Sequence, residues 1–392
     1  MPPLGNNQTE IIANIRVREG SWYEQIPKAA AHDIGNEISK LSAFTQPTLF
    51  FCGLNELGIS GLEAILQGLA NFEQEDRPDV FFIEYQPSLL KSAKERNSIL
   101  NKISKRARSV TLFVLDKDSH ASLVEAIPDE YYSRNIRIDW LPDPPPFEPG
   151  SRLENVGTCK WIQNRKHTNS SPAVLAVGKQ SPRKGITDIV RAVRLLEIQK
   201  RIESPLNMFV SGSLDLGIQR NEEISKQLLR LQSICWRRDY VDDCEILQTY
   251  ASSDYVLLPY DTSFEGSSGV FAYATALGKP IISTGHGCIG GRVTKYGLGF
   301  TYRSGDYEEL ANILANLKDI SQVEYTEMSK RCQIYSTIFS TFLFKSCLVK
   351  KVCRNTEQLI CKTSQTANPI KRHDSPPTQI DPPSIATPLC FS

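Results

Sequence analysis

The chain carries almost no net charge: 45 Lys and Arg against 44 Asp and Glu in 392 residues leave a formal +1. That balance excludes an electrostatic grip on nucleic acid, which needs a surplus of positive charge. Long apolar runs are missing too, none reaching the roughly 18 residues that mark a bilayer-crossing helix. The first residues, MPPLGNNQTEII, lack the basic stretch followed by an apolar one that would direct secretion. The expectation is a cytoplasmic protein. Ten cysteines, at 52, 159, 235, 244, 288, 332, 347, 353, 361 and 390, form no C-x-x-C pair, so they read as reduced thiols rather than a disulfide framework or a zinc site. Five histidines, at 32, 120, 167, 286 and 373, are equally scattered, which leaves a metal hydrolase without support and no metal ligands expected. No repeat of solenoid or propeller period is present.

What is there is alternation. Strand-like and helix-like segments follow one another through most of the chain, the mark of an α/β fold with parallel sheets. In the first half, strands are expected over 11–17, 48–52, 80–83, 110–115 and 136–140, with helices over 29–41, 61–72 and 87–104. The prolines at 142 and 144–146 cannot continue a central strand, because proline lacks the donor and fixes φ. Residues 147–171 are polar and read as a linker. A second series begins at 173–177. It continues with a helix over 186–200, a strand over 208–211, a helix over 222–233, a short strand near 240, a helix over 246–251 and a strand over 255–258. A helix over 270–277, a strand over 281–284, a loop through 291, a strand over 299–302 and a helix over 307–317 complete it. The implied organisation is an N-terminal α/β domain over 1–150, a linker over 151–171, a second α/β domain over 172–353 and a tail over 354–392. The chain from about 362 onward, rich in Pro, Ser and Thr, reads as disordered.

The most informative stretch is 255–286, YVLLPYDTSFEGSSGVFAYATALGKPIISTGH. An apolar strand runs into the turn Glu265-Gly266-Ser267-Ser268-Gly269 and then an Ala-rich helix. Either Ser267 or Ser268 can cap that helix, and its first amides are then free to meet an anion such as a diphosphate. Glu265 would stand at the rim, able to accept hydrogen bonds from hydroxyls of the group that the diphosphate carries. Earlier, Gly178-Lys179-Gln180-Ser181-Pro182-Arg183-Lys184-Gly185 forms a cationic turn between a strand and a helix.

These segments together resemble family-4 glycosyltransferases, the group 1 enzymes of the GT-B fold. Their signature is E-x7-E followed by a small-residue run and G-K-P, here Glu265 and Gly278-Lys279-Pro280, with Tyr273 standing where the second Glu is usual. The family's G-R-x-x-x-x-K-G loop corresponds to 178–185, with Lys179 in place of Arg and Lys184 retained. Gly212 falls at the family's glycine turn, and Ala251 to Asp254 at its A-x-x-D. The resemblance covers roughly 173–317 and is weaker before that. It implies two Rossmann-like domains facing across a cleft. It also implies retaining, metal-independent transfer of a sugar, expected to be a hexose, from a nucleoside-diphosphate sugar to an acceptor hydroxyl, in polysaccharide or glycoconjugate synthesis.

In that reading Lys179 and Lys184 neutralise the departing diphosphate and Glu265 orients sugar hydroxyls, the three being the catalytic candidates. The amides at Ser267, Ser268 and Gly269 add charge stabilisation. Gly178 and Gly212 allow close backbone approach, Val241 and Asp242 contact the base, and Tyr273 stands at the ribose position. No cofactor is implied beyond the donor substrate. The acceptor, whether saccharide, lipid-linked or protein, is not encoded in any residue type. His286 stands in a glycine-rich turn at a strand's carboxyl end, either facing the ligand or facing solvent. Two other classes stay open: a metal-dependent transferase using Asp116-Lys117-Asp118, and a non-catalytic nucleotide-sugar-binding or scaffolding protein, favoured by Tyr273. Residues 336–351, apolar with Lys345, Lys350 and Lys351, read as a C-terminal helix packing across the domains, with peripheral contact to an anionic membrane as the lesser expectation.

Overall fold

A computed structural model describes residues 34–36, 38–43, 47–52, 54–84, 94–115, 120, 135–144, 157–165, 171–199, 206–215, 222–239, 241, 243–264 and 266–364. The strand expected over 11–17, most of the linker and the tail beyond 364 lie outside them. In the first half, β1 (Thr48–Cys52), β2 (Asp79–Glu84), β3 (Ser109–Val114) and β4 (Ile136–Trp140) form a parallel sheet in the order β1-β2-β3-β4. All six residues of β2 are buried, as expected of an inner parallel strand covered on both faces. Helices α1 (Leu54–Gly68) and α2 (Lys94–Arg106) connect β1 to β2 and β2 to β3, and α1 begins seven residues before the expected position 61. Asp79, buried at the start of β2, is tied to the start of β3 by the Arg108 guanidinium and by Ser109 Oγ at 2.6 Å. Charge-assisted bonds of this kind fix the register of the two strands where the sheet begins.

The second half builds a six-stranded parallel sheet from β5 (Ala173–Val177), β6 (Asn207–Ser211), β7 (Ile234–Arg237), β8 (Tyr255–Leu258), β9 (Ile281–Thr284) and β10 (Gly299–Tyr302). Their order is β10-β9-β8-β5-β6-β7, so the chain starts in the middle, winds outward one way, then returns to wind the other. After the short helix α3 (Lys160–Gln163), the described helices are α4 (Ile186–Ile198), α5 (Glu222–Arg230), α6 (Asp243–Ala251), α7 (Gly269–Ala276), α8 (Gly287–Tyr296), α9 (Tyr307–Asn316), α10 (Gln322–Ile338) and α11 (Thr341–Ser364). Two apolar clusters cover the two faces, one around Val190, Val193 and Leu310, the other around Phe209, Phe271 and Val293. Both parallel sheets conform to the expected pair of Rossmann-like domains.

Three local expectations differ. The edge strand near 240 lies instead at 234–237, where Ile234 and Trp236 face one cluster and Cys235 the other. The expected helix over 222–233 stops at Arg230, and Ser233 leaves the helix to anchor strand starts: its Oγ accepts from the Leu206 amide at 2.9 Å and its amide donates to Glu197 at 2.7 Å. The loop expected through 291 is the ten-residue helix α8. Its glycines disguise it, since each costs a helix about 1 kcal/mol relative to alanine. Gly290 is needed there because a side chain would overlap the backbone of Thr284 and Gly285.

Helix α8 also joins the two halves. Arg292, nearly buried, pairs with Asp143 at 3.1 Å and reaches the Leu115 carbonyl at 3.5 Å, so one guanidinium meets the ends of β3 and of the segment after β4. Among the described residues, the stretch Gln322–Val352 is long and apolar enough to cross a membrane by length and composition. Met328, Cys332 and Tyr335 within it are core residues of the second half.

Two glycine replacements separate close packing from mere helix propensity. Gly185 has φ +70° and a Cβ there would overlap the Pro259 carbonyl, whereas Gly291, exposed on α8, has open space around it. Denaturant melts are expected to show Gly185→Ala losing about 2–4 kcal/mol and Gly291→Ala gaining up to about 1 kcal/mol.

Candidate functional site

Strands β5 and β8 are neighbours in the sheet, yet the connections leaving their carboxyl ends run to opposite sides. That divergence makes this the switch point of the strand order, the place at which open α/β sheets bind ligands. The two turns bordering it are the two that the sequence singles out, 178–185 and 259–268.

The first turn is held by close backbone contacts. Gly178, at φ +101°, donates its amide to Ser211 O at 2.9 Å, and Gln180 bridges to Ser213 O at 2.8 Å. Gly212, at φ +127°, lies so near the Gly178 carbonyl that any side chain would overlap it. The Trp236 indole donates to Gly212 O at 3.0 Å, tying in the end of β7. Pro182–Lys184 makes one 3-10 turn, and Gly185 in the left-handed region brings it against β8, where the Asp261 amide donates to Arg183 O at 3.0 Å.

Lys184 is buried beneath this turn. Its Nζ lies 5.8 Å from the centroid of the Tyr260 ring and would be 2.7 Å from a Cβ on Gly178. Among the described residues no carboxylate pairs with it. Burial, and then the neighbouring Arg183 charge, lower its pKa to about 8 from 10.5. The Arg183 guanidinium stacks 5.0 Å over Phe264. Lys179 differs: it is exposed and stands 3.7 Å from Asp215. The two lysines of the loop therefore occupy unlike environments, one desolvated against Gly178 and one in a solvated ion pair.

The second turn leads into α7. Ser268 is its N-cap, with Oγ accepting from the Phe271 amide at 3.4 Å and bonded to Tyr260 Oη at 2.9 Å. The capping choice left open between Ser267 and Ser268 thus falls on Ser268, and Ser267 is half-exposed. Gly269 is exposed, with nothing within 4 Å of a Cβ placed on it. Among the described residues, the amides of Gly269 and Val270 meet no acceptor, which leaves α7 with an open positive end. Glu265 and Asp242 lie outside the described residues, as do Asp116 and Asp118. Val241 is half-exposed beyond β7. Tyr273 is half-buried, its ring stacked 5.4 Å from that of Tyr250 on α6.

Several residues have structural duties that the sequence did not reveal. Lys279, of the Gly-Lys-Pro break, donates from Nζ to the carbonyls of Ala251 and Ser253, both at 2.8 Å, and so caps the end of α6. Asp254 exchanges hydrogen bonds with Ala173 where β8 and β5 begin. His286, the N-cap of α8, has Nε2 2.6 Å from Asp261 O, and Cys288 donates to Gly266 O at 3.1 Å. The last two reach the second turn from the start of α8, and the only hint in the sequence was their place after a strand end. Among the described residues no group of three or more His, Cys, Asp or Glu could hold a metal ion.

The segment containing both turns, 171–319, matches the family model of glycosyl transferases group 1. Over those residues the chain is similar to the group 1 glycosyltransferases. Solved structures extend the likeness in fold to most of the chain. HepE of Anabaena in complex with UDP is similar at 14% identity and TM-score 0.61, over 82% of each chain. The E. coli trehalose-6-phosphate enzyme bound with UDP-2-fluoro glucose is similar at 12% identity and TM-score 0.62, over 82% of this chain and 77% of that one. A UDP-forming α,α-trehalose-phosphate synthase of Burkholderia xenovorans in complex with glucose-6-phosphate is similar at 10% identity and TM-score 0.60, over 82% and 77%. At these identities the likeness is one of fold, that of the GT-B glycosyltransferases. No curated protein matches the chain by sequence.

The desolvated Lys184 sets a signed pH dependence. Lys184 binds its proton less tightly folded than unfolded, so between about pH 8 and 10.5 the unfolded chain holds more protons and stability rises with pH. Below about 8 the penalty is present in full. Urea melts of the ligand-free protein at pH 7 are expected to show Lys184→Met about 1–3 kcal/mol more stable than wild type, the gain shrinking toward pH 10.5.

Proposed function

We propose that the chain is a retaining, metal-independent glycosyltransferase whose donor is a uridine-diphosphate sugar. The observation that carries this reading is the buried Lys184 ammonium at the switch point, with no carboxylate partner among the described residues and 5.8 Å from the ring of Tyr260, whose hydroxyl bonds Ser268, the N-cap of α7. A desolvated cation, together with first-turn amides that meet no acceptor among the described residues, suits a dianionic group better than water. The choice of uridine draws on HepE and the E. coli enzyme, whose solved structures hold UDP and UDP-2-fluoro glucose.

In the reaction, the bond between the sugar C1 and the β-phosphate oxygen breaks, with its electron pair going to that oxygen. The acceptor hydroxyl oxygen bonds to C1 from the same face and its proton passes to the departing phosphate, giving glycoside and nucleoside diphosphate. Lys184 and the amides of Gly269 and Val270 meet the charge that develops on the leaving group. Lys179 adds a solvated charge at the outer side. Glu265 orients the sugar hydroxyls and Val241 lies toward the base. Tyr273, stacked on Tyr250, contributes an aromatic surface where relatives carry a carboxylate for the ribose, the feature that favours a non-catalytic nucleotide-sugar binder as the second reading.

Calorimetry with UDP and uridine tests the placement. Lys184→Ala is expected to weaken UDP by about 1.5–3 kcal/mol and leave uridine almost unchanged; equal losses would reject it. Glu265→Gln is expected to cut turnover of the nucleotide sugar while keeping UDP affinity. Turnover is expected to persist in excess EDTA, and its abolition would transfer the argument to a metal-dependent enzyme. Wild-type protein that binds UDP-sugars and turns over none would leave the non-catalytic binder standing.

A further inference from the structure

The turn between β8 and α7 is fastened from one side by three alternate residues of a single segment. Thr284, the last residue of β9, donates from Oγ1 to Tyr260 O at 2.7 Å. His286, the N-cap of α8, bonds through Nε2 to Asp261 O at 2.6 Å. Cys288, on the first turn of α8, donates from Sγ to Gly266 O at 3.1 Å. All three acceptors are main-chain carbonyls, so the clamp grips the path of the backbone and is indifferent to the side chains of the turn. Since a carbonyl can only accept, Nε2 of His286 carries a proton, and its Nδ1 is buried and meets no hydrogen-bond partner among the described residues.

We propose that Thr284, His286 and Cys288 are positioning residues for the donor site, which hold the β8–α7 turn so that the first amides of α7 aim at the diphosphate. The inference rests on the donor reading above. Two features point beyond ordinary loop anchoring. First, the acceptors flank the turn on both sides, at 260 and 261 and again at 266, so the clamp fixes its exit direction as well as its start. Secondly, the turn's own bonds cannot do this alone. Asp261 accepts locally from Ser263 at 2.9 Å and from the Phe264 amide at 3.0 Å, while Tyr260 reaches Ser268 at 2.9 Å. Those bonds shape the turn internally, and the Asp261 amide ties its start to Arg183 O at 3.0 Å, whereas among the described residues the side chains of 284–288 refer both its start and its exit to β9 and α8. A shift of about 1 Å in groups that meet a reacting phosphate costs on the order of a hundredfold in rate. Positioning by backbone carbonyls therefore has a large kinetic effect to express.

The test uses the full chain with UDP-glucose as donor probe. UDP release from UDP-glucose is measured for wild type, Thr284→Val, His286→Ala and His286→Gln, the last keeping an N–H donor at similar reach. UDP affinity is measured on each by calorimetry, and amide exchange of the 260–268 peptide is followed without ligand. His286→Ala and Thr284→Val are expected to lose about tenfold or more in kcat with UDP affinity within about threefold. Exchange of the 260–268 peptide is expected to quicken in both, and His286→Gln to restore rate and protection together. Unchanged exchange in His286→Ala, a glutamine variant no better than alanine, or kcat and UDP affinity falling by one common factor would each overturn the proposal. If the wild-type chain releases no UDP from UDP-glucose, the donor reading fails by itself, and exchange then decides the clamp: quickened and glutamine-restored upholds it as the turn's fastening, unchanged removes it.

Discussion

The site depends on how closely backbone can approach backbone at the carboxyl ends of β5, β6 and β8. Gly178, Gly185 and Gly212 all take positive φ, and the latter two have a carbonyl oxygen where a Cβ would be. Only glycine satisfies both demands at once. Their contacts draw the turn after β5 against the strands on either side of it. Without that, the ammonium of Lys184 would not be shut between Gly178 and Tyr260, and the two turns that border the crevice would stand apart.

Enclosing a charge in this way opposes folding. Lys184 lies where burial disfavours its protonated form, and the apolar clusters on both sheet faces supply the stability that tolerates it. The buried pair of Arg292 and Asp143 shows the opposite solution, a desolvated cation matched to a carboxylate with its geometry satisfied. Among the described residues, the second half thus contains one buried cation with a carboxylate partner and one without. The first joins the halves, and the second lies between Gly178 and Tyr260.

Much of this was legible in sequence because parallel strands buried on both faces spell themselves as short apolar runs. AVLAV at 173–177 and YVLL at 255–258 could hardly be anything else, and the glycines and serine cap flanking them mark the turns. What escaped was whatever depends on distant partners. Lys279 looked like part of a break and is the cap of α6, through carbonyls 26 and 28 residues away. Helix α8 was hidden by its glycines, of which Gly290 lets it pack on the end of β9. The clamp of Thr284, His286 and Cys288 was invisible because its acceptors are carbonyls, which every residue possesses. Lys179 and Lys184 looked alike as a cationic pair, and only the tertiary structure separates a solvated one from a desolvated one.

The open space at Gly269 has a consequence of a different kind. The first residue of α7 could hold a methyl group without touching any protein atom among the described residues. The fold therefore makes no demand for glycine there, in contrast to Gly185 or Gly212, where the chain itself forbids anything larger. A population of variants selected only for folding would drift freely at 269 and stay fixed at 185 and 212. One selected for a guest in the crevice would stay fixed at all three, so the freedom of that single position records which demand the protein has been kept under.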